Sequence, residues 1–281
     1  MKIVRSLFAI LVVLTVFYPV SLIAAESALQ FRQRISTNDE EVASDVAEEI
    51  IFGREVAARV IARYGLYENP ALMKYVNLVG HVLSRNTNRP EIEFRFAILN
   101  TDEINAYAAP GGYVFVTRGA LLKMQDESEL AGVLAHEIGH VVEKHVVKEL
   151  NIKGADESAA AGLATLIGGT SQSARTAFSQ AVDKAMDMLF KDGYKREDET
   201  EADKDAVLYC ALSGYEPKGL MTYFERINAL KEKNTEVLDR THPSYENRIA
   251  WLKGTMSQEG VDSGKYKNDK ERFAAYIKQL K

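Results

Sequence analysis

The sequence predicts an α+β fold that is mostly helical, with one small sheet that contains an antiparallel pair of strands. Most of the chain repeats apolar residues at the three-to-four-residue spacing of an amphipathic helix. One stretch, residues 91–117, instead alternates apolar and polar residues around Pro110-Gly111-Gly112, which is a strong turn signal. With 281 residues, the chain is long enough to bury a substantial core.

Helices are predicted both before and after this β region along the chain. Apolar residues at helical spacing predict N-terminal helices within residues 39–86 and a C-terminal helix over about residues 270–280. The central core, which includes the sheet, is expected over about residues 90–255. Together these parts predict a single domain over residues 26–281.

The first 25 residues are predicted to be a signal peptide or a membrane anchor. Lys2 and Arg5 precede a run without charges that ends in the small residues Ala24 and Ala25, which is the pattern of a secretory signal. The uncharged run, residues 6–25, is also long enough to span a bilayer, so an uncleaved anchor is the alternative. In both cases the body of the protein is expected to be exported.

Composition narrows the classes of function. The net charge is −5 and no basic stripe with interleaved aromatic residues is present, so nucleic acid is not an expected partner. Hydrophobic residues make up 46% of the chain, which argues against disorder. Cys210 is the single cysteine, so no intramolecular disulfide can form, and its apolar neighbours predict a small buried side chain.

The stretch LAGVLAHEIGHVVEKH holds three of the five histidines of the chain. His136 and His140 are four residues apart, so on a helix both imidazoles point the same way and can bind one zinc ion. Glu137 is placed to reach a metal-bound water, which is the general-base position of the H-E-x-x-H motif. The alternative is a pair of core histidines satisfied by hydrogen bonds. The apolar surroundings of this helix favour the metal, because a buried His-Glu-His set is costly without a partner.

A zinc site with an open position needs a third protein ligand, and the spacing of residues leaves several candidates. His242 is one. In the segment EDETEAD, Glu199 and Asp203 are four residues apart on a predicted helix, so one could bind metal while the other orients a ligand histidine. Spacing alone does not separate Glu199 from Glu201. His145 would lie about 180° round the helix from the first motif histidine, so a hydrogen bond or a capping contact is expected.

Four segments in order, NAYAAPGGYVFVTRGALL, DESELAGVLAHEIGHVVEKH, ETEAD and THPSYENR, resemble the HtpX and CAAX-prenyl-protease family of zinc metallopeptidases, which are gluzincins. The resemblance covers about residues 100–252. Within the family, the sequence resembles the soluble periplasmic branch of BepA and LoiP type. It implies a gluzincin-type helix core that carries the HExxH active-site helix. It also implies one zinc ion per chain, held by His136, His140 and Glu199.

The resemblance implies roles for further residues. Asp203 matches the residue that supports a ligand histidine, Arg248 matches an arginine near the active site, and His242 can take the fourth metal position and hold the enzyme latent. An edge strand that pairs with an extended peptide substrate is implied for Asn105, Ala106, Tyr107 and Ala108. Separately from the resemblance, the composition of the Gly-rich residues 154–169 leads us to expect that they cover the cleft.

The function expected from these features is hydrolysis of peptide bonds in exported proteins, including misfolded or envelope proteins. Zinc would activate the attacking water, and Glu137 would act as the general base. The alternative is a periplasmic chaperone or assembly factor that serves outer-membrane proteins and has little protease activity. The expected partners are an extended polypeptide and outer-membrane assembly proteins. The protein would be periplasmic, with membrane contact only through an uncleaved leader.

Overall fold

The computed structural model describes residues 39–150, 172–230, 244–261 and 263–280. The predicted leader over residues 1–25, the Gly-rich segment 154–169 and His242 therefore lie outside the described residues. Residues 43–281 group into one compact unit, and only the first residues of a helix are described in the other unit, residues 1–42. Within the described part of the chain, no helix is both long enough and apolar enough to cross a bilayer.

Helices make up most of the described chain, which confirms the predicted fold class. The first helix is followed by Gly65, whose positive φ of 72° suits a glycine, and the second is capped by Asn69, which accepts a hydrogen bond from Leu72 N at 3.0 Å. The α-helices are α1 Asp39–Tyr64, α2 Pro70–Ser84, α3 Arg118–Lys123, α4 Glu127–Val142, α5 His145–Glu149, α6 Gln172–Asp187, α7 Arg196–Leu212, α8 Gly219–Leu230, α9 Tyr245–Gln258 and α10 Lys270–Ile277. Shorter helical turns lie at Pro110–Gly112, Met188–Asp192 and Lys278–Leu280.

The sheet is small and mixed. Its strands are β1 Arg95–Leu99, β2 Ala106–Ala109 and β3 Tyr113–Thr117, in the order β1-β3-β2. Strand β3 pairs in parallel with β1 and antiparallel with β2, so the predicted antiparallel pair is confirmed. The hairpin between β2 and β3 closes at Gly111 and Gly112, whose φ values of 71° and 93° favour glycine. Strand β2 is an edge of this sheet.

Helix α4 lies in the interior of the compact unit, and all 16 of its residues are buried. Two glycines let neighbouring helices approach closely. A Cβ at Gly132 would lie 2.5 Å from the backbone nitrogen of Leu220 on α8, and a Cβ at Gly139 would lie 3.0 Å from Cα of Ala202 on α7. Because Gly139 has no side chain, α7 can pack directly beside the histidines of α4.

At two positions the fold differs from what local sequence patterns indicate. Glu49 belongs to an acidic tract that reads as a solvated helix face, yet it is buried, lies 2.9 Å from Nη2 of Arg89 and accepts a hydrogen bond from Gly111 N at 3.1 Å. Ser128 is of a residue type that favours helix N-caps, yet it lies inside α4, and the N-cap is Asp126, which accepts a hydrogen bond from Glu129 N at 3.1 Å. The partners of Glu49 are distant in sequence, so helical spacing does not reveal them.

Replacing Asp205 with Asn should stabilise the protein at pH 8 and have much less effect at pH 4. Burial, and then the Glu143 carboxylate, raise the pKa of Asp205 from 3.8 to about 7. The free energy of unfolding should therefore fall as the pH rises from about 4 through about 7, because the folded protein must ionise a poorly solvated group. Thermal unfolding of both proteins across this pH range measures the difference.

The control for this prediction is Asp192→Asn, which changes an exposed carboxylate. It should leave the pH dependence of the melting temperature as in the wild-type protein. If Asp205→Asn and wild type lose stability in parallel between pH 4 and pH 8, Asp205 is not the group responsible.

Candidate metal centre

The two motif histidines meet on α4 as the sequence predicts. His136 and His140 are both buried, and their Nε2 atoms lie 3.0 Å apart. Their rings are perpendicular, with centroids 4.6 Å apart. Burial, and then the Arg248 guanidinium, lower the pKa of His136, so that ring is neutral and keeps a lone pair for a ligand.

Helix α7 brings a carboxylate to the same point. Glu199 is buried, with Oε2 at 3.7 Å from Nε2 of His136 and Oε1 at 3.6 Å from Nε2 of His140. Glu201, the other candidate in this segment, lies elsewhere, with Oε2 at 3.2 Å from Nε2 of His145. Among the described residues, His136, His140 and Glu199 form a group whose ligand atoms all lie within 4.8 Å of one another.

The separations between these atoms fit zinc. A tetrahedral ion with ligands at about 2.0–2.1 Å holds neighbouring ligand atoms about 3.3–3.4 Å apart. The two Nε2 atoms lie 3.0 Å apart, and each lies 3.6 or 3.7 Å from a different oxygen of Glu199, so these separations bracket that value. Two imidazole nitrogens and one carboxylate oxygen are also the ligand types of catalytic zinc sites that keep an open position. The residues present therefore fit the metal that the H-E-x-x-H motif predicts.

Asp203 and Arg248 form a buried pair beside this group. Asp203 Oδ1 lies 3.1 Å from Nδ1 of His136, and Nε of Arg248 donates to Asp203 Oδ2 at 3.0 Å. Nη1 of Arg248 also lies 3.2 Å from Oε2 of Glu199. Burial by itself would raise the pKa of Asp203, but the Arg248 charge and the His136 contact outweigh it and lower the pKa to about 2. Asp203 is therefore ionised and can accept a hydrogen bond from Nδ1–H of His136.

Glu137 lines a cavity of about 330 Å³, part of which is open to solvent, on the same side of α4 as His136. Burial, and then the Glu199 carboxylate, raise the pKa of Glu137 to about 8. A carboxylate with a pKa near neutrality can both take up and return a proton at physiological pH. A cation bound by its neighbours would lower this pKa, because it favours the ionised form.

The predicted substrate strand reaches the cavity only at its beginning. Asn105 and Ala106 line the cavity. Tyr107 is buried against Phe190, with ring centroids 4.7 Å apart, and Ala108 is buried as well. The rest of the cavity wall is mostly apolar, formed by Ala120, Val133, Leu220, Tyr223, Phe224 and Arg248 with the residues named above.

One residue of the site escapes the sequence analysis. The ring of Tyr194 stacks on His140, with centroids 3.9 Å apart and planes 15° apart. Its hydroxyl is buried and has no hydrogen-bond partner among the described residues. Burial is the main cause that raises the pKa of Tyr194, and the Glu137 charge adds to it. No motif marks Tyr194, because the turn that precedes α7 brings it to the histidines only in the folded chain.

Comparisons with known proteins agree with this geometry. The pattern of Peptidase family M48 matches residues 70–256. The chain is 28% identical over 221 residues to the beta-barrel assembly-enhancing protease of Escherichia coli strain K12, which covers 76% of this chain and 45% of that protein. It is 29% identical over 211 residues to the putative beta-barrel assembly-enhancing protease of Vibrio cholerae. This alignment covers 73% of this chain and 43% of that protein. Metalloprotease LoiP of Escherichia coli strain K12 is 26% identical over 196 residues. This alignment covers 69% of this chain and 74% of LoiP.

These relatives confirm the resemblance to the branch of BepA and LoiP type. The alignments span less than half the length of the two assembly-enhancing proteases. The family match itself extends from the start of α2 to residue 256 in α9 and contains His136, His140 and Glu199. Over residues 70–256, the chain therefore belongs to peptidase family M48, a family of zinc metallopeptidases.

Proposed function

We propose that this protein is a zinc metalloendopeptidase that cleaves exported polypeptides. His136, His140 and Glu199 would hold one zinc ion, and Glu137 would move the proton. The observation that carries the proposal is the convergence of three buried ligand atoms from two helices, with a buried carboxylate of raised pKa beside them. Membership in a family of metallopeptidases supports the same reaction.

The residues around the ion have distinct tasks in this proposal. Bound zinc would lower the pKa of its water to about 7 and polarise the scissile carbonyl. Glu137 takes the proton of the attacking water and returns a proton to the nitrogen of the leaving amine. Asp203 accepts a hydrogen bond from Nδ1–H of His136, which leaves the lone pair on Nε2 of that ring available to a metal. Arg248 holds Asp203 in place and balances the buried negative charge.

The substrate in this proposal is an extended polypeptide that adds to the edge strand at Asn105, Ala106, Tyr107 and Ala108. Two observations support this. Strand β2 is an edge of the described sheet, and its first residue, Ala106, lines the same cavity as His136 and Glu137 together with the preceding Asn105. The apolar cavity wall is suited to an apolar side chain next to the scissile bond.

Export and latency also remain part of the proposal. The leader pattern of residues 1–25 supports a periplasmic address, with membrane contact only through an uncleaved leader. His242 as a fourth ligand would close the zinc site, as in structural sites, and residues 154–169 would cover the cleft. Both roles rest on the resemblance and on composition, because these residues lie outside the described part of the chain.

Metal removal tests the proposed function. Purified protein should contain about one zinc ion per chain and should cleave unfolded casein. A chelator should abolish the cleavage, and added zinc should restore it, because the attacking water needs the ion. Protein that holds no stoichiometric zinc, or cleavage that persists in excess chelator, would overturn the proposal.

The second candidate is an assembly factor that binds outer-membrane proteins and rarely cuts them. It is favoured by the names of two relatives, which are beta-barrel assembly-enhancing proteases. The test is complementation of a deletion strain by the Glu137→Gln variant. Full rescue of envelope integrity by a variant that cannot cleave casein would favour binding, and failure to rescue would favour hydrolysis.

A further inference from the structure

His145 reaches the metal centre because the chain breaks its helix just before it. Helix α4 ends at Val142, and Lys144 adopts the left-handed conformation, with φ 56° and ψ 34°. A new helix, α5, begins at His145. On an unbroken helix this ring would lie about 180° away from His136. The turn at Lys144 instead brings it against His140, with ring centroids 5.0 Å apart.

Both ring nitrogens of His145 have partners. Nδ1 lies 2.8 Å from Nδ1 of His140, and Nε2 lies 3.2 Å from Oε2 of Glu201. A second carboxylate, Asp198, lies 3.7 Å from the same Nε2. Only 1% of His145 and 2% of His140 is exposed, so the contact between the two rings is shielded from water.

These contacts, together with the proposed ligand role of His140, assign one proton to each ring. Ionised carboxylates only accept hydrogen bonds, so Nε2 of His145 carries a proton and donates it. As a metal ligand, His140 must keep the lone pair of Nε2 and carry its proton on Nδ1, so it donates from Nδ1–H and Nδ1 of His145 accepts. With its proton on Nδ1, His140 presents a lone pair on Nε2. That atom faces His136 and Glu199, where the metal-binding group is assembled.

We infer that His145 is a positioning residue that fixes the tautomer and the orientation of the ligand His140. The relay runs from the Glu201 and Asp198 carboxylates through His145 to His140 Nδ1. Tyr194 stacks on the face of the His140 ring and holds its plane, while His145 holds its edge. This inference rests on the proposed zinc site, but it concerns hydrogen bonds that exist within the chain itself.

The two ligand histidines thus receive different supports. His136 donates a hydrogen bond from Nδ1 to a carboxylate, that of Asp203, on α7. His140 donates a hydrogen bond from Nδ1 to the His145 ring, which in turn is held by carboxylates at the start of the same helix. Partners that support a ligand histidine in this way raise metal affinity about 10–100-fold. Helix α7 therefore supplies the carboxylate Glu199 to the metal group and supports both histidines of α4.

The first test is the zinc affinity of His145 variants, measured by competition with a chromogenic chelator. His145→Leu should bind zinc about 10–100-fold more weakly than wild type. His145→Asn should recover most of that loss, because its Oδ1 can accept where Nδ1 did. His81→Leu is the matched control, since His81 lies on the exposed face of α2 and should leave the affinity unchanged. Equal affinities for wild type and His145→Leu, or equally weak Leu and Asn variants, would overturn the inference.

The second test needs neither zinc nor a variant. Long-range nitrogen–proton NMR spectra of the wild-type protein, with zinc removed by chelator, should show His145 protonated at Nε2 and His140 at Nδ1. The opposite tautomers would overturn the relay even if a variant failed to fold. The proposed function has a separate test. A wild-type protein that binds no zinc would contradict the proposed metalloendopeptidase, and the NMR tautomers would still show whether His145 sets the tautomer of His140.

Discussion

Replacing Glu137 with Gln should abolish cleavage of unfolded casein while zinc stays bound. The carboxylate is buried beside the ligand group, and its raised pKa suits a residue that takes and returns a proton. General acid–base groups contribute about 10²–10⁴-fold to rate, so kcat should fall by that factor. The amide has nearly the same shape, so His136 and His140 should keep their positions. Cleavage kinetics and metal analysis on the same preparation measure both effects.

A nearby glutamate provides the control for this prediction. Glu143 follows the last residue of α4 and lies outside the cavity, with a lysine, Lys148, 3.7 Å from its carboxylate. Glu143→Gln should retain wild-type cleavage and wild-type zinc content. If Glu137→Gln still cleaves casein within a few-fold of wild type, the proton is moved by another group. If it loses zinc, the carboxylate acts as a ligand instead.

Replacing Arg248 with Met should lower the free energy of unfolding in chelator by about 3–5 kcal/mol, the usual loss when one partner of a buried ion pair is removed. The guanidinium is 4% exposed and contacts Asp203 and Glu199, both of which are about 1% exposed. Without it, the ionised Asp203 carboxylate would remain buried without the guanidinium that lowers its pKa, and Glu199 would lose its contact with Nη1. Zinc should recover part of the loss, because an ion bound at Glu199 neutralises the same charge. Urea unfolding with chelator and with zinc measures both quantities.

Two further variants decide whether the loss comes from the buried charge. The double change Arg248→Met with Asp203→Asn should be more stable than Arg248→Met alone, because one unpaired carboxylate is removed. Arg59→Met breaks an exposed ion pair with Asp183 and should cost less than about 1 kcal/mol. An unfolding midpoint for Arg248→Met equal to that of wild type would contradict the electrostatic role of this arginine.

Several features of this protein follow from local sequence alone. The helical spacing of apolar residues, the turn at Gly111 and Gly112 and the two histidines four residues apart each depend on backbone geometry within a few residues. The helices, the β2–β3 hairpin and the approach of His136 to His140 were therefore predictable. The order of the strands was not, because the parallel pairing of β1 with β3 joins segments that no local pattern relates.

The third ligand shows where local reasoning stops. Glu199 and Glu201 are equivalent by spacing, and only a family resemblance separates them at the level of sequence. In the fold, α7 packs on Gly139 through Ala202, and this contact directs Glu199 toward His136 and His140 and Glu201 toward His145. The choice is set by the rotation of one helix against another, which depends on side chains distant in the chain.

The sequence by itself determined the helical class, the hairpin and the paired histidines with their glutamate, since neighbours along a helix or a turn are brought together by the backbone. Tertiary structure alone decided the partners of these groups. Arg248 pairs with Asp203 across 45 positions, and His145 turns back to His140 through an unusual left-handed lysine. Buried polar groups need partners wherever packing places them, and packing is a property of the whole folded chain.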